Sequence, residues 1–270
     1  MDPDRELRPW DWDGHLLLLH RSESERQSRL ASWVRRGLDR GEKVIYTEAP
    51  PSRSVLAVLS GQGIDVRAAT AAGHLEVLPT DEFCEADVVG QALADGFPAV
   101  RVSTEAGDAL AGPGGFTTIE QVIERLCRVE RVSALCQYDR RIITGAALDE
   151  VAGRHAGGVR ETQFETADHD DGLAIAGEID FTNDEVLAAT LRAATSSASG
   201  VFRVDLRHVT FVSAGGLRAL ANGTKAFREQ GGDLVLVCPC PSVDRSLKLL
   251  AVDQLDHVTV DRNGLGGDTR

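Results

Sequence analysis

The stretch Asp205-Leu-Arg-His-Val-Thr-Phe-Val-Ser-Ala-Gly-Gly-Leu217 decides the fold of the second half of this 270-residue chain. An acid ends an apolar strand, a short hydrophobic segment follows, and the small residues Ser213 to Gly216 form a turn that opens a helix. Leu217 and Leu220 then recur at helical spacing. Small side chains leave the first backbone N–H groups of a helix accessible, so this site suits an anion or the acceptor groups of a partner.

Strands and helices alternate on both sides of this stretch. Leu173–Glu178, Val201–Asp205 and Asp233–Val237 predict strands, Asn183 opens an amphipathic helix, and Val258–Val260 predicts an edge strand. This alternation indicates a compact α/β fold.

The first half follows the same pattern over a longer stretch. Apolar runs predict strands at His15–His20, Glu42–Thr47, Gly73–Leu78, Ala99–Ser103 and Val132–Gln137. Amphipathic segments between these runs predict helices. We therefore expect a mainly parallel sheet with helices on its faces, and an α/β fold class for the whole chain.

A boundary is expected within residues 151–172, which are rich in glycine and charge and poor in periodic apolar residues. The predicted organisation is a first domain at 1–160, a linker at 161–171, a second domain at 172–262 and a disordered tail at 263–270.

The second half resembles the STAS domains of bacterial anti-anti-sigma factors, which are anti-sigma factor antagonists. Gly177-Glu-Ile-Asp180, the strand-and-turn stretch above and Gly232-Asp-Leu-Val-Leu-Val237 carry the resemblance, which covers residues 172–260. It implies a small α/β domain that binds a serine-kinase-like anti-sigma factor around the turn and releases it when a hydroxyl there is phosphorylated. The residues it assigns to partner binding are Asp205, Thr210, Ser213, Ala214, Gly215, Gly216 and Arg218.

The turn departs from the family pattern Asp-Ser-Ser/Ala-Gly-Leu. Ala214, which has no hydroxyl, stands at the phosphoacceptor position that the resemblance implies, and Ser213 stands where the family carries Asp. Either the module binds its partner constitutively, or Ser213 has become the phosphoacceptor. The structural alternative is that Ser213 only caps the helix.

The first half has no nucleotide-binding loop. It does contain a sequence pattern common in RecA-like ATPases, Gly37-Leu-Asp-Arg-Gly-Glu-Lys-Val-Ile-Tyr46. A Walker-type ATPase needs G-x-x-x-x-G-K-[ST] after its first strand. His20-Arg-Ser-Glu-Ser-Glu-Arg26 stands there instead, without glycine or lysine. Walker-type ATP binding is excluded.

A RecA-like core with such a degenerate loop resembles the MEDS family of sensory domains in methanogen and methylotroph regulators. His15–His20, Gly37-Leu-x-x-Gly-Glu-Lys43, Leu59-x-x-x-Gly63-Ile-Asp65, Gly73-His-Leu75 and Leu135-Cys-Gln-Tyr-Asp139 carry it in order. The family usually has a Gly-Glu-x-x-Trp-like segment, whereas Arg101–Asp108 keeps an acid but no Trp. The resemblance implies that this half senses a small ligand.

Open α/β sheets bind ligands at the carboxyl ends of their strands. The polar residues predicted to lie there and bind a ligand are His20, Glu105, Tyr138 and Asp139. Each has a structural alternative: His20 caps a helix, Glu105 pairs with an arginine, or Tyr138 packs at the edge of the core.

Composition excludes several classes of function. The formal net charge of −13, from 42 acidic and 29 basic residues, disfavours nucleic-acid binding. Apolar runs are too short to span a membrane, and the polar start lacks the apolar run of a signal peptide, so a cytoplasmic location is expected.

No metal or other cofactor is expected. Cys238-Pro-Cys240 is a lone C-x-C interpreted as a structural turn, and Cys136 is interpreted as a small buried hydrophobe. The seven histidines show no H-x-x-x-H spacing, and no G-x-S-x-G motif is present.

The predicted function is non-enzymatic: a sensory domain modulates the docking of a STAS domain to an anti-sigma factor, which frees a sigma factor for transcription. Two alternatives stay open. One is a small-molecule-binding stress or scaffold protein whose STAS domain mediates assembly; the other is an enzyme acting on a small ligand in the first half. A homodimer is compatible with the sequence.

Overall fold

The computed structural model describes residues 13–48, 55–105, 115–155, 158–161, 163–169 and 171–263. These residues form two compact units that separate between residues 143 and 144. We call residues 13–143 the first unit and residues 144–263 the second unit, and describe each by itself. No helix within the described ranges is long and apolar enough to cross a lipid bilayer.

The first unit alternates strands and helices along the chain. Its elements are β1 (His15–His20), α1 (Glu23–Asp39), β2 (Lys43–Glu48), α2 (Val55–Gly61), α3 (Val66–Ala71), β3 (Leu75–Pro79), α4 (Thr80–Glu85), α5 (Val88–Ala94), β4 (Val100–Glu105), α6 (Gly115–Val129) and β5 (Val132–Asp139). The strands lie in the order β1-β5-β4-β2-β3, and every neighbouring pair is parallel. The predicted parallel α/β fold is confirmed here.

The core of the first unit depends on the leucine run of β1. Leu16, Leu17, Leu18 and Leu19 are all buried, as expected for a parallel strand covered on both faces. Leu16 and Leu18 pack with residues of α1 and α2, among them Trp33. Since side chains alternate along a strand, Leu17 and Leu19 point to the opposite face.

The second unit contains a mixed sheet. Its elements are α7 (Gly145–Arg154), β6 (Val159–Arg160), β7 (Phe164–His169), β8 (Gly172–Ile179), α8 (Asp184–Thr195), β9 (Val201–Val212), α9 (Ala214–Gly223), α10 (Lys225–Glu229), β10 (Asp233–Val237), α11 (Pro241–Leu249), a 3₁₀ turn (Val252–Gln254) and β11 (Val258–Asp261). The strands run in chain order from β6 to β11, with β6, β7 and β8 antiparallel and β8 to β11 parallel. The predicted mixed α/β class is confirmed here as well.

Residues 161–171 were expected to form a linker, but they contain a regular strand, β7, which pairs antiparallel with β8. Phe164 and Thr166 are buried on alternate positions of β7, a strand pattern that the charged residues around them conceal. Helix α7, which the predicted first domain includes, forms an ion pair with α8 through Asp149 and Arg192. The domain limits themselves stay a prediction, and the expected disordered tail lies outside the described residues beyond Asn263.

Strand β9 is longer than predicted, because it runs without interruption from Val201 to Val212. It pairs with β8 along this length through two register shifts. Gly177 lies at one of them with φ +105°, and a Cβ there would come within 2.1 Å of the carbonyl oxygen of Gln163. Only glycine fits that close approach of two backbones.

Candidate functional site

The turn before α9 is a capped helix start. Ser213 has extended backbone angles, and its Oγ accepts a hydrogen bond from the backbone N–H of Gly216 at 3.1 Å. Its own backbone N–H donates to the carbonyl of Ile179, the last residue of β8, at 2.8 Å. The helix-cap interpretation of Ser213 therefore describes its geometry.

The two glycines of the turn have different surroundings. Gly216 is buried, and a Cβ there would lie 2.5 Å from Cγ2 of Ile179 and 3.0 Å from Cγ2 of Val212. At Gly215 a Cβ would meet the Asp184 carboxylate, 2.7 Å from Oδ2. Packing therefore requires glycine at position 216. Gly215 instead lies beside the carboxylate of Asp184, whose negative charge interacts favourably with the positive end of the α9 dipole.

Exposed aromatic side chains lie at the same end of the sheet. Phe181, two residues after β8, has 81% of its surface exposed, and Phe211, near the end of β9, has 49%. Ala214, Arg218 and Thr210 are exposed too. We call this end of the sheet together with the start of α9 the docking face; its exposed residues are Phe181, Thr210, Phe211, Ala214 and Arg218, of which Thr210 and Phe211, consecutive in β9, point to opposite sides of the sheet. Exposed aromatics beside polar groups are typical of protein-binding surfaces.

One predicted partner-binding residue does not join this surface. Asp205 lies opposite Val237 at the end of β10, and the rest of β9 separates it from the turn. Its carboxylate accepts a hydrogen bond from the backbone N–H of Arg207 at 2.9 Å. The sequence places Asp205 and Ser213 in one motif, but the uninterrupted strand between them keeps them apart.

In the first unit, the carboxyl ends of β1 and β5 bring two predicted ligand-binding residues together. His20 and Asp139 are register partners. His20 is only 5% exposed, its Nδ1 has no hydrogen-bond partner among the described residues, and burial and the nearby Arg26 lower its pKa. Asp139 is bound by Arg141, which lowers the pKa of the carboxyl group.

Arg26 is the centre of this site, although it is not among the residues predicted from the sequence. Its Nη1 lies 3.2 Å from Oε1 of Gln137, 3.4 Å from the Tyr46 hydroxyl and 3.3 Å from Oε2 of Glu105, while its Nε donates to Glu23 at 2.9 Å. Although burial acts to lower it, these partners raise the pKa of Arg26. An arginine in the first turn of α1 was the available signal, since helix starts favour acids.

The same network holds the Tyr46 side chain. Burial raises the pKa of Tyr46 to about 12 despite the adjacent guanidinium of Arg26. Gln137 continues the network by donating to the hydroxyl of Ser103 at 2.9 Å. Glu105 therefore forms an ion pair with Arg26, which agrees with the alternative that it pairs with an arginine. This pair lies within the site predicted to bind a ligand.

Tyr138 does not join the other candidates. It is fully buried, and its hydroxyl donates to Oε1 of Glu120 on α6. Because neighbouring side chains of a strand point to opposite faces, Tyr138 lies across the sheet from Gln137 and Asp139. The prediction that Tyr138 lies with the ligand-binding residues at the carboxyl edge of the sheet is therefore wrong.

Comparisons with protein families divide the chain into two domains. Residues 14–156 match the family described as MEDS, the methanogen/methylotroph, DcmR sensory domain. Residues 162–260 match the family described as Mlab, STAS domain. Both family resemblances and their order are confirmed. No curated protein matches the chain.

Several solved structures are similar to part of this chain. A candidate anti-sigma factor antagonist from Thermotoga maritima is 21% identical, with a TM-score of 0.31 over 36% of this chain and 86% of that one. An anti-sigma factor antagonist from Mycobacterium paratuberculosis is 24% identical, with a TM-score of 0.31 over 35% and 81%. The antagonist SpoIIAA in its unphosphorylated form is 15% identical, with a TM-score of 0.31 over 37% and 89%.

Proposed function

The chain belongs to the MEDS family and carries a STAS domain after its MEDS domain; on that premise, we propose that it is a signalling protein that antagonises an anti-sigma factor. In this proposal the STAS domain docks to the anti-sigma factor in the cytoplasm, and the MEDS domain modulates the docking. The protein acts by binding and not by catalysis. The docking face at the start of α9 is the observation that carries the proposal.

The docking face has the features that protein-binding energy depends on. Phe181 and Phe211 are large, apolar and exposed, and aromatic side chains, Phe among them, are enriched in the buried centres of protein interfaces. Arg218 and Thr210 supply polar groups at the rim. A partner that covers both phenylalanines would remove apolar surface from water and exclude solvent from the helix start.

The turn favours constitutive docking over a phosphorylation switch. Ser213 is the one hydroxyl residue in the turn of residues 213–216, and its Oγ already caps α9. A phosphate at Ser213 would add about −1.5 to −2 charges beside the Asp184 carboxylate. Repulsion between these groups disfavours the modified state, so we place the regulatory signal in the MEDS domain.

The MEDS domain offers a buried polar site for that signal. His20 carries a ring nitrogen without a hydrogen-bond partner in the described residues, beside the network around Arg26. A small polar ligand that bonds His20 and competes for Arg26 would rearrange the first turn of α1. Coupling of that change to the STAS domain is the regulatory step of the proposal.

The test measures the affinity of the full chain for serine-kinase-like anti-sigma factors from its own organism by biolayer interferometry. Phe181→Ala should weaken binding about 30-fold, equivalent to the ~2 kcal/mol of a hot-spot residue. Leu249→Ala is the matched control, because Leu249 on α11 is 82% exposed against 81% for Phe181. Binding that is absent in every pairing, or weakened equally by both variants, would refute the proposal.

A further inference from the structure

The face of the first unit's sheet that contacts α6 contains a second polar cluster, separate from the network around Arg26. It joins His15 at the start of β1, Cys136 on β5 and Glu120 on α6. Nε2 of His15 lies 3.2 Å from Oε2 of Glu120 and 3.5 Å from Sγ of Cys136. The side chains of Glu120 and Cys136 are fully buried, and that of His15 is 11% exposed.

From this geometry we infer that His15, Glu120 and Cys136 bind a divalent transition-metal ion of the zinc class. In a tetrahedral site with metal–ligand bonds of about 2.0 to 2.3 Å, neighbouring ligand atoms lie roughly 3.3 to 3.8 Å apart. The two distances at His15 are close to that range, and all three ligand atoms lie within 4.8 Å of one another. The inference concerns the MEDS domain alone and does not depend on anti-sigma factor binding.

The donor set selects among metals. One imidazole nitrogen, one carboxylate oxygen and one thiolate sulfur suit Zn²⁺ and Co²⁺, whereas Mg²⁺ and Ca²⁺ prefer oxygen alone. Zinc sites use three or four protein ligands, and this cluster supplies three. No local sequence pattern indicates the site, because its ligands come from three separate segments and Glu120 lies in none of the motifs.

Charge supports a cation at this position. Burying a carboxylate is costly, so a positive charge would stabilise the fully buried Glu120 in addition to its contacts with Tyr138 and His15. A divalent ion would compensate the carboxylate and displace the thiol proton, which leaves as the sulfur binds the metal.

Tyr138 orients the carboxylate ligand. Its hydroxyl donates to Oε1 of Glu120, while Oε2 is the oxygen that faces His15. Carboxylate ligands of metals are commonly held in this way by a hydrogen bond to their second oxygen. Tyr138 is therefore a positioning residue, and its removal should weaken metal binding without abolishing it.

The first experiment measures metal in the full chain. After growth with added zinc and extensive dialysis, about one ion per chain is expected by mass spectrometry. Cobalt substitution should produce a sulfur-to-cobalt charge-transfer band in the near ultraviolet. Cys136→Ala should lose the band, while the matched control Cys84→Ala, a partly buried cysteine on α4, should keep it.

Two further measurements keep the inference falsifiable if Cys136→Ala does not fold. X-ray absorption of the unmodified zinc protein should show one sulfur ligand at about 2.3 Å, with the other ligands nitrogen or oxygen. Tyr138→Phe should weaken zinc binding about 10- to 100-fold. A metal-free chain whose melting temperature zinc does not change, or a site without sulfur, would overturn the inference; two sulfur ligands would do the same, by indicating Cys238 and Cys240.

Discussion

The interiors of the two halves differ in the kind of polar residue that they bury. In the described ranges of the first unit, five ionisable side chains other than cysteine and tyrosine are buried: His20, Arg26, Glu42, Arg101 and Glu120. The second unit also buries ionisable side chains, but all of them, His155, Arg160 and Glu161, precede the STAS match that begins at residue 162. Within the described part of the STAS domain the buried polar side chains are uncharged: Thr166, Asn183, Thr190, Thr195 and Thr224. In each helix threonine the hydroxyl donates to the carbonyl four residues earlier, as from Thr190 to Val186 at 2.8 Å.

This difference separates two kinds of behaviour. A buried ionisable group changes its protonation or its partners when pH, ions or ligands change, so it makes its domain responsive. A core of apolar residues and locally bonded threonines changes little and holds its surface in one shape. The charged interior thus suits the proposed sensory role of the MEDS domain, and the uncharged interior suits the proposed docking role of the STAS domain.

The largest loss of stability is expected when Arg101, in the charged interior of the first unit, is replaced. This side chain is 1% exposed, bonds Glu42, lies 2.5 Å from Oδ1 of Asp13, and stacks 5.0 Å from the ring of Trp33. Arg101→Leu leaves the Glu42 carboxylate buried without its partner and should cost about 3 to 5 kcal/mol in urea unfolding. Arg192→Leu, which removes the exposed pair with Asp149, should cost less than about 1 kcal/mol. Equal losses in both variants would contradict the comparison.

In the STAS domain, the largest loss of stability is expected from a steric change. Gly216→Ala places a methyl group 2.5 Å from Ile179 and should cost roughly 1 to 3 kcal/mol through overpacking. Gly215→Ala meets only the end of the Asp184 side chain, which can rotate away, so the loss should stay within about 0.5 kcal/mol. Thermal melts of both variants provide the measurement. Equal melting temperatures for the two variants would show that Gly216 is not required for close packing.

A smaller effect is expected at the helix cap. Ser213→Ala removes the oxygen that accepts from the N–H of Gly216 and should destabilise the protein by about 1 kcal/mol. Ser213→Asn, which retains a capping oxygen, should stay within a few tenths of a kcal/mol of the original protein. Should both variants unfold at the same urea concentration, capping is not the role of Ser213.

The smallest change in stability is expected from the titration of His20 and occurs only over a limited pH range. Its pKa is lowered in the folded state, so the unfolded chain binds the proton more tightly. Stability is therefore complete above the ordinary histidine pKa of about 6.5 and falls as pH decreases below it. The groups acting on His20 are Arg26, Asp139, Glu23 and Glu25. The carboxyl groups with lowered pKa lose their contribution only at lower pH, below about 4.

His20→Gln isolates this contribution. The difference in unfolding free energy between His20→Gln and the original protein should be constant above about pH 7 and change as the pH falls through the ordinary histidine pKa of about 6.5. Parallel pH profiles of the two proteins over that range would show that His20 does not titrate on unfolding.

The sequence predicts repeating features well and isolated contacts poorly. The leucine run of β1 and the small-residue turn before α9 predict their elements because burial and helix capping act on consecutive or evenly spaced residues. Strand β7 was missed because only Phe164 and Thr166 show its alternation among charged neighbours. The contacts of Arg26 and Glu120 were missed because their partners come from distant segments, which no local pattern reveals.

Strand β1 holds its two histidines five positions apart, an odd spacing that turns them toward opposite faces of the sheet. His15 consequently belongs to the cluster with Cys136, and His20 to the site beside Gln137, although those two partners are consecutive in the chain. A shift of β1 by one residue would move both histidines to the opposite faces of the sheet, so that each imidazole would lose its present partners. The four leucines between the histidines thus act as a fixed spacer, and their number matters as much as their hydrophobicity.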